Sequence, residues 1–268
     1  MFGADGAALQ NAGGDAILSV NGLQKAFGGV QALSGMDLEV RRGTVTGLIG
    51  PNGAGKSTLF NCMSGVIPPD FGEVHAFGRN ITGWPSHRLA PLGVVRTFQL
   101  SRELGRLTCL ENLMLAPLAQ LGERLLPIFL QPGAVAREER ALYAKACEVL
   151  EFARLADLRD EYAENLSGGQ KKLLELARAL MLDCELILLD EPGAGVNPAL
   201  MKTLEEIIIT LNRDQGRTFL IVEHDMDIIA RLCDPVIVMT EGRKLTEGPF
   251  DLVRRDPTVI EAYLGGVA

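Results

Sequence analysis

An α/β fold with a mostly parallel sheet is what this sequence predicts, on two observations. Short, almost wholly apolar runs recur along the chain: VTGLI (45–49), ELILLD (185–190), TFLIV (218–222) and PVIVM (235–239). Strands of that texture are buried on both faces, as they are in parallel sheets. Segments of helical period lie between the runs, among them ALMKTLEEIIITLN, entered through Asn197 as N-cap and Pro198 as first helical residue. Buried strands alternating with amphipathic helices are the pattern of an α/β domain.

The elements follow in order. The opening MFGADGAALQNAGGDA (1–16) is small, polar and weakly acidic, without the basic start and apolar run of a signal peptide, and reads as a disordered leader. ILSVNGLQKAF and DLEV read as strands. After VTGLI, the segment GKSTLFNCMSG starts a helix that stops near Gly65, and VVRTF (94–98) is again a strand. Thr108 with Glu111 forms a capping box, in which each side chain satisfies a backbone N–H at a helix start. From Pro117 to about Asn165 the chain turns charged and alanine-rich, with REERALYAKACEVLEFARL an amphipathic helix, so a mostly helical insertion is expected here. A second capping box, Ser167 with Gln170, opens a helix whose Leu173, Leu174, Leu176, Ala177, Leu180 and Met181 repeat at helical spacing.

Composition narrows the function. The 268 residues suffice for one large domain or two modest ones, and 47% hydrophobic residues support a full core. A formal charge of −8 and the lack of a basic tract argue against nucleic acid as a partner. Five scattered cysteines with no Cys-x-x-Cys pair fit a reducing compartment and core packing rather than disulfides or zinc. His75, His87 and His224 lack metal-ligand spacing to any cysteine. No apolar stretch reaches the roughly 18 residues of a membrane span, so a soluble, cytoplasmic chain is expected.

GPNGAGKS (50–57) carries the strongest chemistry, because it fits G-x-x-x-x-G-K-[ST] between a predicted strand and a predicted helix. Its three glycines let the backbone wrap phosphates, Lys56 reaches the β- and γ-phosphates, and Ser57 holds Mg²⁺. ELILLDE ends an apolar strand in two carboxylates, at the sheet edge where ligands of parallel sheets lie. Asp190 is placed for the Mg²⁺ shell and Glu191 to polarise the attacking water, although a solvated Asp-Glu pair at a turn has the same look. His224, just past TFLIV, is either a capping or packing residue or, if its strand neighbours that of Glu191, a contact to the γ-phosphate. Gln99 at a strand end is ordinary loop chemistry that could complete a metal or water site.

LSGGQ (166–170) then poses a question, since Gly168 and Gly169 each disfavour helix by about 1 kcal/mol relative to alanine. One use for them is to bring bare N–H groups close to an anion. One nucleotide site does not need two such helix starts, but two copies packed head to tail would let each LSGGQ close over the nucleotide held by the other.

GPNGAGKST, Gln99, LSGGQ, LILLDE and His224, in this order, resemble the ATP-binding subunit of ABC transporters, over nearly the whole chain from Leu18 to Leu264. The resemblance implies a P-loop NTPase core with a mostly parallel sheet, an antiparallel β portion near the N-terminus, and a helical insertion (about 100–182) carrying the LSGGQ signature, all within one ATP-binding domain (17–268). It implies ATP held by Phe27, stacked on adenine, by Gly50, Pro51, Asn52, Gly53, Ala54, Gly55, Lys56, Ser57 and Thr58, by Gln99, and by Ser167, Gly168, Gly169 and Gln170. Ser57, Gln99 and Asp190 would serve Mg²⁺, and Lys56, Glu191 and His224 catalysis.

KAFGGVQAL, VVRTFQ, LTCLENLMLA, EPGAGVNPAL and DPTVIEAYLG resemble the ATPases of branched-chain amino-acid importers, the LivG type. Neutral amino-acid, urea and short-amide importers look equally close, and lipopolysaccharide exporters share the motif texture. The family implies a second ATPase chain, either LivF-like or another copy, two transmembrane permease subunits and an external solute-binding protein. It also implies a place on the cytoplasmic face of the inner membrane. Two departures stand out. Asn197 occupies the place of an expected aspartate, and Lys171 and Lys172 follow the signature where glutamine and arginine are common.

Overall fold

The computed structural model describes residues 16–97, 104–123 and 125–264. The leader expected over 1–16 and the candidate residue Gln99 therefore fall outside the described residues, apart from Ala16. The strands are β1 (Ala16–Phe27), β2 (Val30–Arg41), β3 (Val45–Ile49), β4 (Phe71–Ala76), β5 (Arg79–Asn80), β6 (Val94–Arg96), β7 (Leu186–Asp190), β8 (Thr218–Val222), β9 (Val236–Thr240) and β10 (Arg243–Gly248). The helices are α1 (Lys56–Met63), α2 (Ser86–Leu89), α3 (Cys109–Met114), α4 (Leu125–Leu130), α5 (Pro132–Phe152), α6 (Gly168–Met181), α7 (Pro198–Gln215), α8 (Met226–Leu232), α9 (Phe250–Val253) and α10 (Pro257–Leu264).

Two sheets form. One has the order β2-β1-β4-β5 and is antiparallel; the other has the order β10-β9-β3-β8-β7-β6. In the second, β9, β3, β8, β7 and β6 run parallel and only the edge strand β10 is antiparallel. The period of two along each strand sorts its residues into two cores. Leu48, Leu186, Leu188, Leu220, Val222, Ile237 and Met239 face α1 and the antiparallel sheet. Ile49, Ile187, Leu189, Phe219, Ile221, Val236 and Val238 face the helices α3, α5, α6, α7 and α8. The apolar runs are continuous because both faces are covered.

Between β6 and β7 the described chain is helical, and its Cys109, Leu113, Ala146 and Leu150 join the core that α6 and α7 share with the sheet. Both capping boxes are present. Thr108 Oγ1 accepts from Glu111 N while Glu111 Oε2 accepts from Thr108 N, and the Ser167–Gln170 pair does the same. Asn197 caps α7 through Oδ1, which accepts from Leu200 N at 2.9 Å. Cys62, Cys109, Cys184 and Cys233 are buried free thiols in the two cores, Cys147 is half-buried, and burial pushes the Cys62 and Cys184 thiols up to about 11.

The strand expected over 94–98 is shorter, ending at Arg96, and β4, β5 and β10 have no counterpart in the sequence reading. β4 opens with three exposed residues including Gly72, and β10 has no buried residue, so neither carries an apolar run.

Candidate functional site

The parallel strands end on one side of the sheet, where loops carry the polar residues of interest. The register Asp190↔Val222 makes β7 and β8 neighbours to their last residue, so the residues that follow each strand lie side by side. Ligands of open α/β sheets bind at such carboxyl ends.

The loop after β3 is shaped by its glycines. Gly50 (φ +156°) and Gly55 (φ +97°) lie in the region that favours glycine, and a Cβ there would sit 2.2 Å from the Met239 carbonyl oxygen and 2.4 Å from that of Ala32. Gly53 (φ +81°) has open space around it, so backbone conformation alone selects glycine there. Gly55 is the N-cap of α1 and offers no side-chain cap, which leaves the first N–H groups of the helix to another acceptor. Pro51 O accepts from Ala54 N at 3.2 Å, closing the turn; Asn52, Gly53 and Ser57 are exposed, Thr58 is half-buried, and Ala54 is buried.

Lys56 is 6% exposed, and its Nζ donates to the carbonyls of Gly50 (2.6 Å) and Pro51 (3.0 Å). Burial lowers its pKa below the usual lysine range, opposed by the charge of Glu191. The ammonium thus lies within the field of the Glu191 carboxylate, just past β7, while bridging the loop's own oxygens, a preformed place for anionic oxygens to take over.

Asp190 is 2% exposed, which removes the reading of a solvated turn pair. Glu191 follows at φ +49°, a conformation that costs a non-glycine residue on the order of 1–3 kcal/mol and clusters at functional sites. Its N–H donates to Val222 O at 2.9 Å, and its Oε1 lies 2.7 Å from His224 Nε2. His224 does not cap α8: that is done by Asp225, whose Oδ1 accepts from Asp227 N and Ile228 N.

Glu223 was not legible as a site residue. Its buried carboxylate accepts from Gly193 N (2.6 Å) through Oε1 and from His224 N (3.1 Å) through Oε2, tying the loop after Glu191 to His224. Burial raises its pKa above the ordinary carboxylate value, with these backbone donors opposing. A glutamate directly before the histidine, at the end of an apolar strand, was the only available signal.

The LSGGQ segment sits at the start of α6, with Ser167 and Gly168 exposed. Ser167 N donates to Gln170 Oε1 at 2.8 Å and Gln170 N to Ser167 Oγ at 3.4 Å. Gly169 has a packing reason: a Cβ there would lie 2.7 Å from Leu200 Cδ1, so the glycine lets α6 approach α7. Gly168 has no such reason, its Cβ meeting only Gly195 O at 3.6 Å. Lys172 Nζ donates to the Glu191 carbonyl at a long 3.4 Å. Phe27 ends β1 half-exposed, with Lys25 Nζ 5.6 Å from its ring centre. Among the described residues no cluster of His, Cys, Asp and Glu has the form of a metal site, and no helix is long and apolar enough to cross a membrane.

Known proteins resemble this chain over most of its length. Residues 33–194 match the family described as ABC transporter, and residues 243–268 match the family described as branched-chain amino acid ATP-binding cassette transporter. A probable branched-chain amino acid transport ATP-binding protein LivG of Archaeoglobus fulgidus is 43% identical over 249 residues, covering 93% of this chain and 95% of the relative. The high-affinity branched-chain amino acid transport ATP-binding protein LivG of Escherichia coli is 38% identical over 249 residues, covering 93% and 98%. Among solved structures, an ATP-binding cassette of an ABC transporter in its ADP conformation superposes with a TM-score of 0.78 at 38% identity, over 93% of this chain and 99% of that one. A dimeric cassette in a post-hydrolysis state bound to ADP and Pi gives 0.71 at 25% identity, over 87% and 98%.

Proposed function

The chain belongs to the ABC transporter family as an ATP-binding cassette of the branched-chain amino acid type, and from that premise we propose how its residues turn ATP into transport. It is an ATPase that powers an amino-acid importer and works with membrane permease subunits. The observation that carries the mechanism is the 2.7 Å contact between Glu191 and His224 at adjacent strand ends, with Lys56 in the field of the same carboxylate.

Lys56 exchanges the Gly50 and Pro51 carbonyls for the β- and γ-phosphate oxygens, and the uncapped N–H groups of α1 receive the rest of the charge. Glu191 orients and deprotonates the attacking water. His224, held through Nε2 on Glu191 and through its backbone on Glu223, keeps that carboxylate aimed and meets the γ-phosphate. Ser57 in the first turn of α1 and the buried Asp190 offer the hard oxygen donors that suit Mg²⁺, with Gln99 as a third in our reading. Bound there, Mg²⁺ would supply positive charge to offset the negative charge that develops on the phosphate in transfer.

The second half of the cycle needs a partner. The exposed Ser167 and Gly168 close over the nucleotide of a second cassette, and Phe27 stacks on the adenine of the chain's own. A solved relative is dimeric with ADP and Pi, which supports this arrangement. Closure is favoured only while the γ-phosphate offers the signature a contact, and loss of that contact opens the dimer. The partner cassette is a LivF-like chain or a second copy, the helical subdomain of about 100–182 meets two permease subunits at the cytoplasmic face of the inner membrane, and an external binding protein delivers the solute.

Solute uptake in cells carrying Lys56→Ala tests the reading. Selective loss of leucine, valine and other neutral amino acids is expected. Loss of urea alone would move the substrate and keep the mechanism, and unimpaired uptake of every solute would contradict the importer assignment.

A further inference from the structure

Arg96, the last residue of β6, reaches into the nucleotide site from behind. Its Nη2 donates to Asp190 Oδ2 at 2.6 Å, and its Nη1 to Asn61 Oδ1 (2.7 Å) on α1 and to Oγ of its C-cap Ser64 (2.9 Å). The Phe60 ring lies 5.6 Å from the guanidinium carbon. Both charged side chains are nearly enclosed, at 11% and 3% exposure. One side chain therefore joins three elements: β6, the end of β7 and the helix that begins with Lys56 and Ser57.

A buried ion pair is weak evidence for stability, because desolvation offsets most of its attraction. What this one does supply is position. Asp190 would otherwise have two equivalent oxygens and a free χ2 torsion; the fork takes Oδ2, and Oδ1 has no hydrogen-bond partner among the described residues. The planar guanidinium can hold Asp190, Asn61 and Ser64 together only as a fork, which a lysine ammonium cannot reproduce.

We propose that Arg96 is a positioning residue for the metal-site carboxylate: it pins Oδ2 of Asp190 and leaves Oδ1 as the oxygen that serves the Mg²⁺ of the bound nucleotide. The proposal rests on Asp190 belonging to that Mg²⁺ site. Partners that orient a metal's ligands, when removed, typically cost about 10- to 100-fold in metal affinity.

The test follows binding of a fluorescent ATP analogue to the purified full chain as Mg²⁺ is titrated, beside the same binding in EDTA. Arg96→Met is expected to raise the Mg²⁺ concentration for half-maximal binding by about 10- to 100-fold, with EDTA binding unchanged. Arg96→Lys is expected to give a smaller shift in the same direction. An unshifted Mg²⁺ midpoint in folded Arg96→Met, or EDTA binding that falls in parallel, would overturn the proposal. If Arg96→Met does not fold, an unshifted Arg96→Lys overturns it instead. Asp190→Asn separates the two readings. A shifted Asp190→Asn beside an unshifted Arg96→Met removes only the role of Arg96, whereas an unshifted Asp190→Asn removes the Mg²⁺ reading beneath it.

Discussion

Two helix starts in this molecule look alike in sequence, each rich in glycine before an amphipathic run, and they are built in opposite ways. At the start of α1, Gly50 and Gly55 stand where a Cβ would strike backbone oxygens at 2.2 and 2.4 Å, and no side chain caps the helix. At the start of α6, neither glycine has a positive φ, only Gly169 is tight, against the flexible end of Leu200, and Ser167 and Gln170 cap the helix from within. The first is a rigid mould whose donors wait for a ligand. The second is locally complete, with exposed residues free to meet a nucleotide held elsewhere. On the proposed reading, a single chain therefore supplies one whole phosphate site and one face of another.

The contrast can be broken at its stiffest point first. Gly55→Ala places a methyl group 2.4 Å from the Ala32 carbonyl in a left-handed conformation, and nucleotide binding measured by calorimetry is expected to be lost. Glu191→Gln keeps the fold of the mould and should leave ATP binding intact while lowering turnover by about 10²- to 10⁴-fold in a phosphate-release assay. At the other helix start, Gly169→Ala pushes on Leu200 Cδ1, which can yield; a destabilisation of about 1–3 kcal/mol is expected from chemical unfolding, relieved when Leu200→Ala is added.

Glu223→Gln gives a pH-dependent effect. Even when protonated, the wild-type carboxyl can accept both backbone N–H groups, its hydroxyl oxygen taking one with the O–H turned away, whereas an amide sets an NH2 donor against one of them, a loss of about 1–3 kcal/mol. Because burial raises the folded-state pKa of Glu223, its contribution is full below the ordinary carboxylate range and falls as pH rises through the raised value. The Tm deficit of the variant is therefore expected to be widest in acid and to narrow toward neutral pH. Ser167→Ala, the mildest change, removes one cap for about 1 kcal/mol, or a Tm loss of about 2–4 °C for a chain of this size.

Much of this was legible in the sequence, for a physical reason. GPNGAGKS, the two capping boxes and Asn197-Pro198 act within a few residues of themselves, so local spacing carries them. The contact of His224 with Glu191 required only that β7 and β8 be neighbours, and their registers make them so. Arg96 escaped because its partner Asp190 lies 94 residues away, and Glu223 offered only its place before His224, since Gly193 lies 30 residues away. In sequence, the glycines of LSGGQ suggest an anion; the structure adds a packing reason for Gly169 that only the approach of α7 discloses. β4 and β10 escaped because they carry no apolar run.

Nucleotide binding to the isolated Gly168→Glu chain tests most directly whether the two helix starts serve different nucleotides. Gly168 is exposed and its Cβ would make only ordinary contact at 3.6 Å, so the variant is expected to fold. Wild-type affinity for a fluorescent ATP analogue is expected in the isolated chain, together with loss of ATP turnover in the assembled transporter, while Lys56→Ala loses binding itself. A Gly168→Glu chain that fails to bind the analogue would place the signature on its own nucleotide and contradict the account.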